Sequence, residues 1–265
     1  MNERSKNLIK HFSRAPEILR CVSQTSSWAT LTSRYVGLQT GFPFVAKFRD
    51  GTTFKFEDLP DLATWWQIFC RKIYPVRADD RIIIDAGANV GAFTLYALQQ
   101  ARQAKVIAIE PFPATFARLR DAVDRSPFRA RVDLLNIALA SRSGIVTMQE
   151  GPMASQFRSV LDEGPEQRGT VVDSCPLTEI LARAEGKVDL LKMDIEGSEY
   201  ASLLSSPPES LRRIRRIAME FHPTVDALGS TQRQDLFRHL EQAGLKATEV
   251  QDHGGGYGMA YFTAS

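Results

Sequence analysis

Apolar runs in this sequence repeatedly stop on a carboxylate. Asp85 follows Ile82-Ile83-Ile84, Glu110 follows Val106 to Ile109, and Asp194 follows Leu190 to Met193 with Glu196 two residues on. Glu220 lies near the end of Ile214 to Phe221, two residues before His222. Runs of this kind read as buried parallel strands, and open parallel sheets bind ligands outside the carboxyl ends of their strands. Few kinds of chemistry are available there. A carboxylate accepts from both hydroxyls of a sugar diol, neutralises a cation, or takes a proton when desolvated. An imidazole has the ordinary pKa that suits proton transfer near neutrality.

The stretch Asp85-Ala86-Gly87-Ala88-Asn89-Val90-Gly91 joins the first of these strands to a helix. Gly87 and Gly91 allow a sharp turn and close approach to a ligand, and the helix beginning near Gly91 offers free N–H groups. Its register argues against a dinucleotide. A Gly-x-Gly-x-x-Gly fingerprint counted from Gly87 meets Asn89 and Ala92 at its second and third glycine positions. Asp85 suits a cation instead, and the amino group of S-adenosylmethionine, met directly or through water, is the natural candidate. Glu110, a little beyond ~20 residues after the turn, is placed for a ribose diol, which fits either cofactor. Asn136 is open between an adenine-edge contact and a turn cap.

These segments, with Ile109-Glu110-Pro111, Asn136-Ile137-Ala138-Leu139, Leu191-Lys192-Met193-Asp194-Ile195-Glu196-Gly197-Ser198-Glu199 and Met219-Glu220-Phe221-His222, together resemble the FkbM-type methyltransferase family. The most specific piece is the Lys-x-Asp-x-Glu-Gly-x-Glu block. The resemblance implies a Rossmann-like class I methyltransferase fold with a seven-stranded, mostly parallel sheet and helices on both faces. It also implies S-adenosylmethionine as donor and a hydroxyl of a saccharide or secondary metabolite as acceptor. Asp85, Gly87, Ala88, Asn89, Gly91, Glu110, Pro111, Asn136, Ala138 and Asp194 are then the expected donor contacts.

In the implied strand order Asp85, Asp194 and Glu220 stand side by side. Period-two alternation puts Lys192 with Asp194 on one face and Glu220 with His222 on one face. His222, Asp194, Glu220 and Lys192 are therefore the candidate catalytic residues. An attacking alcohol must lose its proton, and a positioned base contributes ~10²–10⁴-fold. His222 suits that task, as would Asp194 or Glu220 if desolvated; Lys192 would polarise the acceptor or pair with Glu196 or Glu199. Asp194, Glu220 and His222 also resemble an oxygen-rich divalent site, but the spacing does not require a metal, so Mg2+ is not favoured and no ligand is assigned. An NAD-dependent oxidoreductase and a non-catalytic cofactor-binding module are the alternatives.

The elements that must position these groups fall into two parts: an N-terminal helical and hairpin extension over residues 1–78 and a methyltransferase domain over 79–265. In the first, Leu8 to Val22 suggests short helices broken at Pro16. Asp50-Gly51 between Phe44–Phe48 and Thr53–Phe56 predicts a hairpin. Leu59 to Tyr74 predicts a helix whose aromatic stripe of Trp65, Trp66 and Phe69 is core packing. In the second, strands alternate with helices, and a long loop is expected around Met153 to Gly169. The Arg212, Arg213, Arg215, Arg216 run is expected to be a solvated rim.

With 43% hydrophobic and 24% charged residues, the 265-residue chain can bury a full core. The balance of 33 basic against 31 acidic side chains, net +2, gives no argument for nucleic acid or an anionic surface. Cys21, Cys70 and Cys175 fit neither a disulfide framework nor a zinc site. No run approaches the ~20 apolar residues of a membrane span, so a cytoplasmic enzyme with a small-molecule or glycan partner is expected.

Overall fold

The computed structural model describes residues 15–148, 160–161, 169–223 and 229–265. Its centre is a seven-stranded sheet: β3 (Ile82–Ala86), β4 (Lys105–Ile109), β5 (Val132–Leu135), β10 (Leu190–Met193), β11 (Arg216–Phe221), β12 (Leu245–Gly254) and β13 (Tyr257–Ala264). The order is β12-β13-β11-β10-β3-β4-β5, with β13 antiparallel to both neighbours and the other pairs parallel. This is the expected seven-stranded, mostly parallel sheet.

Alternation along the strands divides the core. Ile83, Leu190 and Ala218 face one apolar layer, while Ile84, Leu191, Ile217 and Met219 face the other. The second layer is closed by α6 (Leu177–Arg183), α7 (Glu199–Leu204) and α9 (Gly229–Gln242). The first contains α4 (Ala92–Gln100), which is buried from Ala92 through Leu98. A helix apolar on every side needs cover on every side. The N-terminal extension supplies it.

That extension comprises α1 (Ala15–Gln24), α2 (Trp28–Tyr35), the hairpin β1 (Phe44–Lys47) and β2 (Thr53–Phe56), and α3 (Leu59–Trp66). The hairpin pairs Phe44 with Phe56 and Lys47 with Thr53 around Asp50-Gly51, as its turn residues dictate. Asp58 caps α3 by accepting from the Asp61 N–H at 2.9 Å. The helix then widens into a π turn, Gln67–Arg71, that ends at a left-handed Lys72. Trp65, Trp66 and Phe69 are buried, and Phe69 packs edge-on to Tyr96 of α4 at 5.2 Å. The aromatic stripe is core.

Between β5 and α6 lies a second sheet, ordered β6-β9-β7-β8, of β6 (Ala138–Leu139), β7 (Gly144–Met148), β8 (Val160–Leu161) and β9 (Thr170–Cys175). The expected long loop is thus interrupted by β8, which pairs with β7. The rest of that loop, like Leu8, Ile9, His11, Phe12 and Phe157, lies outside the described residues.

The arginine run is a solvated rim at Arg212 and Arg215, which are exposed, but departs from expectation at Arg216, and its side chains also staple elements together. Arg216 is buried, paired with Asp80 and bonded to the Pro75 carbonyl at 2.9 Å. Arg215 pairs with Asp189 at 2.9 Å, and Arg213 donates to the carbonyls of Ala184 and Gly186. All three cysteines are buried free thiols. No helix among the described residues is long and apolar enough to cross a membrane.

Candidate active site

A cavity of about 630 Å³ opens at the carboxyl ends of β3, β4, β10 and β11. One wall is the glycine turn, with Gly87, Ala88 and Asn89, continued by Glu110, Pro111, Ile137 and Ala138. A second carries Lys192, Asp194, Glu196, Glu220, His222 and Tyr257. The third comes from the extension, through Asp58, Asp61, Thr64, Gln67 and Tyr74.

Gly87 has φ 77°, and a Cβ there would stand 1.8 Å from the Asp194 carbonyl oxygen, so the turn meets β10 at a contact only glycine permits. The N–H groups of Gly87 and Ala88 both donate to the Ile109 carbonyl. Gly91 does not line the cavity. It caps α4 at φ 91° and packs on α5 (Pro113–Asp124), where a Cβ would lie 2.9 Å from Leu119 Cδ1.

Glu110 is 5% exposed and accepts from the Asn89 N–H at 2.9 Å and the Phe112 N–H at 3.1 Å, which fixes its carboxylate at the cavity edge. Asn136 resolves as a turn clamp: Nδ2 donates to the carbonyls of Glu110 and Pro111, both at 2.8 Å. Pro111 and Ala138 remain on the wall.

Two expectations need correction. Asp85 has no exposed surface, so it reaches no ligand directly or through water. Thr94 Oγ1 donates to its Oδ2 at 2.6 Å, and Lys192 Nζ lies 3.2 Å from Oδ1. The cation it holds belongs to the chain. Lys192 pairs with neither Glu196 nor Glu199; its Nζ donates to the Gly87 carbonyl at 2.6 Å and the Ala86 carbonyl at 3.3 Å. Burial alone would lower its pKa, yet the carboxylates of Asp85 and Asp194 outweigh that and raise it. It is a fixed positive charge under the glycine turn rather than an acceptor contact.

Around His222 the sequence residues do converge. Nδ1 lies 3.0 Å from Glu199 Oε1, and Nε2 lies 3.3 Å from Glu196 and 4.0 Å from Asp194. Burial would lower the imidazole pKa, but the hydrogen bond and charge of Glu199, with Asp194 and Glu196, raise it to about 9. His222 is therefore charged near neutrality, against the expectation that it is the ready base. Glu220 moves the other way. Burial first and Asp194 second push it up to about 7, a value suited to a base. Glu196, at φ 54°, is likewise raised to about 7 by burial and Asp194.

Spacing brings Glu196 to the strand end but gives it no role, and it does not mark Glu199, Tyr74 or Tyr257 as site residues. Glu199 is fully buried and accepts from the N–H groups of Ile195 and Gly197, so it shapes the turn after β10 as well as holding His222. A glutamate in the first turn of a helix just past a glycine is the signal that marks it. Were a metal to bind, the geometry gathers Asp194, Glu196 and His222, with ligand atoms within 4.8 Å of one another, rather than the set with Glu220 that the spacing offers. Among the other histidines, His239 holds the Ser206 carbonyl at 2.8 Å and is structural.

Residues 85–246 match the Methyltransferase FkbM domain, which takes in the glycine turn, Glu110 and the whole His222 cluster. The chain belongs to the FkbM methyltransferase family. Its fold is accordingly the class I methyltransferase fold. Hexuronic acid methyltransferase AglP of Haloferax volcanii is 29% identical over 174 residues, covering 65% of this chain and 66% of that protein. The 31-O-demethyl-FK506 methyltransferase FkbM of Streptomyces tacrolimicus is 29% identical over 181 residues, 56% of this chain and 68% of that one. AMB antimetabolite synthetase AmbE of Pseudomonas aeruginosa is 26% identical over 227 residues, 70% of this chain but 11% of its own length. A crystal structure of methyltransferase FkbM from Methylobacillus flagellatus superposes with a TM-score of 0.48 at 14% identity, over 77% of this chain and 54% of that one.

Proposed function

We propose that the protein is an S-adenosylmethionine-dependent O-methyltransferase acting on a hydroxyl of a saccharide or secondary-metabolite acceptor. The observation that carries this reading is one cavity with two chemically different walls: a fixed carboxylate beside a glycine turn, and a titratable cluster at the ends of β10 and β11. The volume and donor set fit the cofactor. Glu110 is placed for a ribose diol, and the carboxylate-rich side suits a cationic sulfonium amino acid. When bound, S-adenosylmethionine supplies an electrophilic methyl group.

Glu220 takes the acceptor hydroxyl's proton as the oxygen attacks. The charged His222, held by Glu199, stays in place and supports the Glu220 and Asp194 carboxylates electrostatically. The cavity walls would bring acceptor oxygen and donor together, and positioning of this kind reaches effective molarities of ~10⁵–10⁸ M. Dialysis against EDTA is expected to leave donor binding and transfer unchanged. Thr64 and Gln67 of the extension are the lining residues assigned to the acceptor.

Calorimetry with S-adenosylmethionine and S-adenosylhomocysteine tests the donor, and labelled donor screened against hydroxyl-bearing metabolites tests the transfer. A native protein that binds neither sinks the reading. Donor binding without transfer, unchanged by Glu220→Gln, would favour a non-catalytic module.

A further inference from the structure

We propose that Tyr74 is a positioning residue that orients Asp194 to hold the ammonium group of the donor's methionine moiety. Tyr74 lies in the extension, before the family-matched span, so the donor site would reach beyond the methyltransferase domain itself. The inference rests on the donor reading above.

Asp85 is the carboxylate that sequence logic offers to that ammonium, and it is sealed behind Lys192 and Thr94. Asp194 takes its place. Its N–H donates to the Ala86 carbonyl at 3.1 Å, and its own carbonyl abuts Gly87, so its side chain stands beside the glycine turn and lines the cavity. That side chain is 28% exposed, whereas Asp85 is closed off.

The two oxygens of Asp194 are held differently. Oδ2 accepts from the Tyr74 hydroxyl at 3.2 Å and lies 3.9 Å from Lys192 Nζ. Oδ1 lies 4.0 Å from His222 Nε2, beyond hydrogen-bonding length. Oδ2 is thus tied to Tyr74 while Oδ1 keeps only the longer approach to His222, on a side chain that lines the cavity. Tyr74 cannot swing away: it is 2% exposed, edge-on to Phe93 at 5.3 Å, with Lys192 Nζ 5.6 Å from its ring centre. Burial and the charge of Asp194 push its hydroxyl pKa well above 10, so it stays a donor.

The test titrates native protein, Tyr74→Phe, Asp194→Asn and the double variant with S-adenosylhomocysteine and with 5′-methylthioadenosine, which keeps the adenosine and sulfur but lacks the amino acid. Tyr74→Phe is expected to weaken S-adenosylhomocysteine by about three- to tenfold and 5′-methylthioadenosine by less than about twofold. On the Asp194→Asn background it should add nothing further. An equal loss for both ligands, no loss for either, or an undiminished effect on that background overturns the proposal. Should Tyr74→Phe fail to fold, Asp194→Asn alone decides, because an equal loss of both ligands removes the ammonium subsite. A native protein that binds neither ligand refutes the donor reading instead.

Discussion

Asp85 and Lys192 face each other across paired strands with charged atoms 3.2 Å apart and side-chain exposures of 0% and 4%. The pair ties β3 to β10 directly below the glycine turn, and Lys192 also holds the Gly87 carbonyl. Breaking it leaves a carboxylate in a dry interior.

Lys192→Met should therefore lower the unfolding free energy by about 3–5 kcal/mol, the usual result of orphaning one member of a buried pair. Urea denaturation measures this. A variant as stable as native protein would show that the pair is not required for folding.

The two glycines of the turn should respond differently to alanine. Gly87→Ala drives a Cβ to 1.8 Å from the Asp194 backbone oxygen, and donor binding should be lost in calorimetry. Gly91→Ala meets the movable end of the Leu119 side chain, so a cost of about 1–3 kcal/mol with donor binding kept is expected. Equal loss of binding in both would mean that Gly91 touches the ligand.

On the proposed reading Glu110 accepts from the ribose, which S-adenosylhomocysteine and 5′-methylthioadenosine share. Glu110→Ala should weaken both together, by about 10- to 100-fold for charge-assisted hydrogen bonds. Selective loss of one ligand would move Glu110 away from the sugar.

Stability should fall as pH rises. Glu196 and Glu220 titrate at about 7 instead of 4.5, so between these values the folded chain holds protons that the unfolded chain has released. His222, raised from 6.5 to about 9, continues the decline, its contribution being complete below 6.5 and lost as pH passes 9. Thermal unfolding followed from pH 5 to 9 should show a decreasing Tm, and Glu220→Gln should flatten the acid side of the curve. A Tm that rises across this window would contradict the assignment.

Much of this architecture is legible in the sequence because its signals are local. Ile82 to Gly91 announces a strand, a turn and a helix, and Asp50-Gly51 announces a hairpin, without knowledge of any distant residue. The convergence of Asp194, Glu220 and His222 follows from period-two alternation together with the strand order that the family resemblance implies. What stays hidden depends on register between remote segments. Lys192 meets Asp85 only because Lys192 pairs with Asp85 across β10 and β3, and Tyr74 meets Asp194 across 120 residues. Arg216 reads as part of a surface run until Asp80 is found against it. A lysine inside the buried Leu190–Met193 strand does carry a warning, since such a charge requires a partner.

The cavity's third wall carries a consequence for how the molecule can change. On that wall Gln67 is exposed and Thr64 half-buried, whereas Asp61 and Tyr74 beside them, and Lys192 opposite, are locked into the interior. Exchanging exposed polar residues costs within about 0.5 kcal/mol, while exchanging locked charges costs several times more. The rim at Gln67 and Thr64 can thus change at little cost, while Asp61 and Tyr74 behind it are as fixed as Lys192. On the proposed reading, changes at Gln67 and Thr64 reach the acceptor without disturbing the buried charges that hold the fold, so a lineage can explore one without endangering the other.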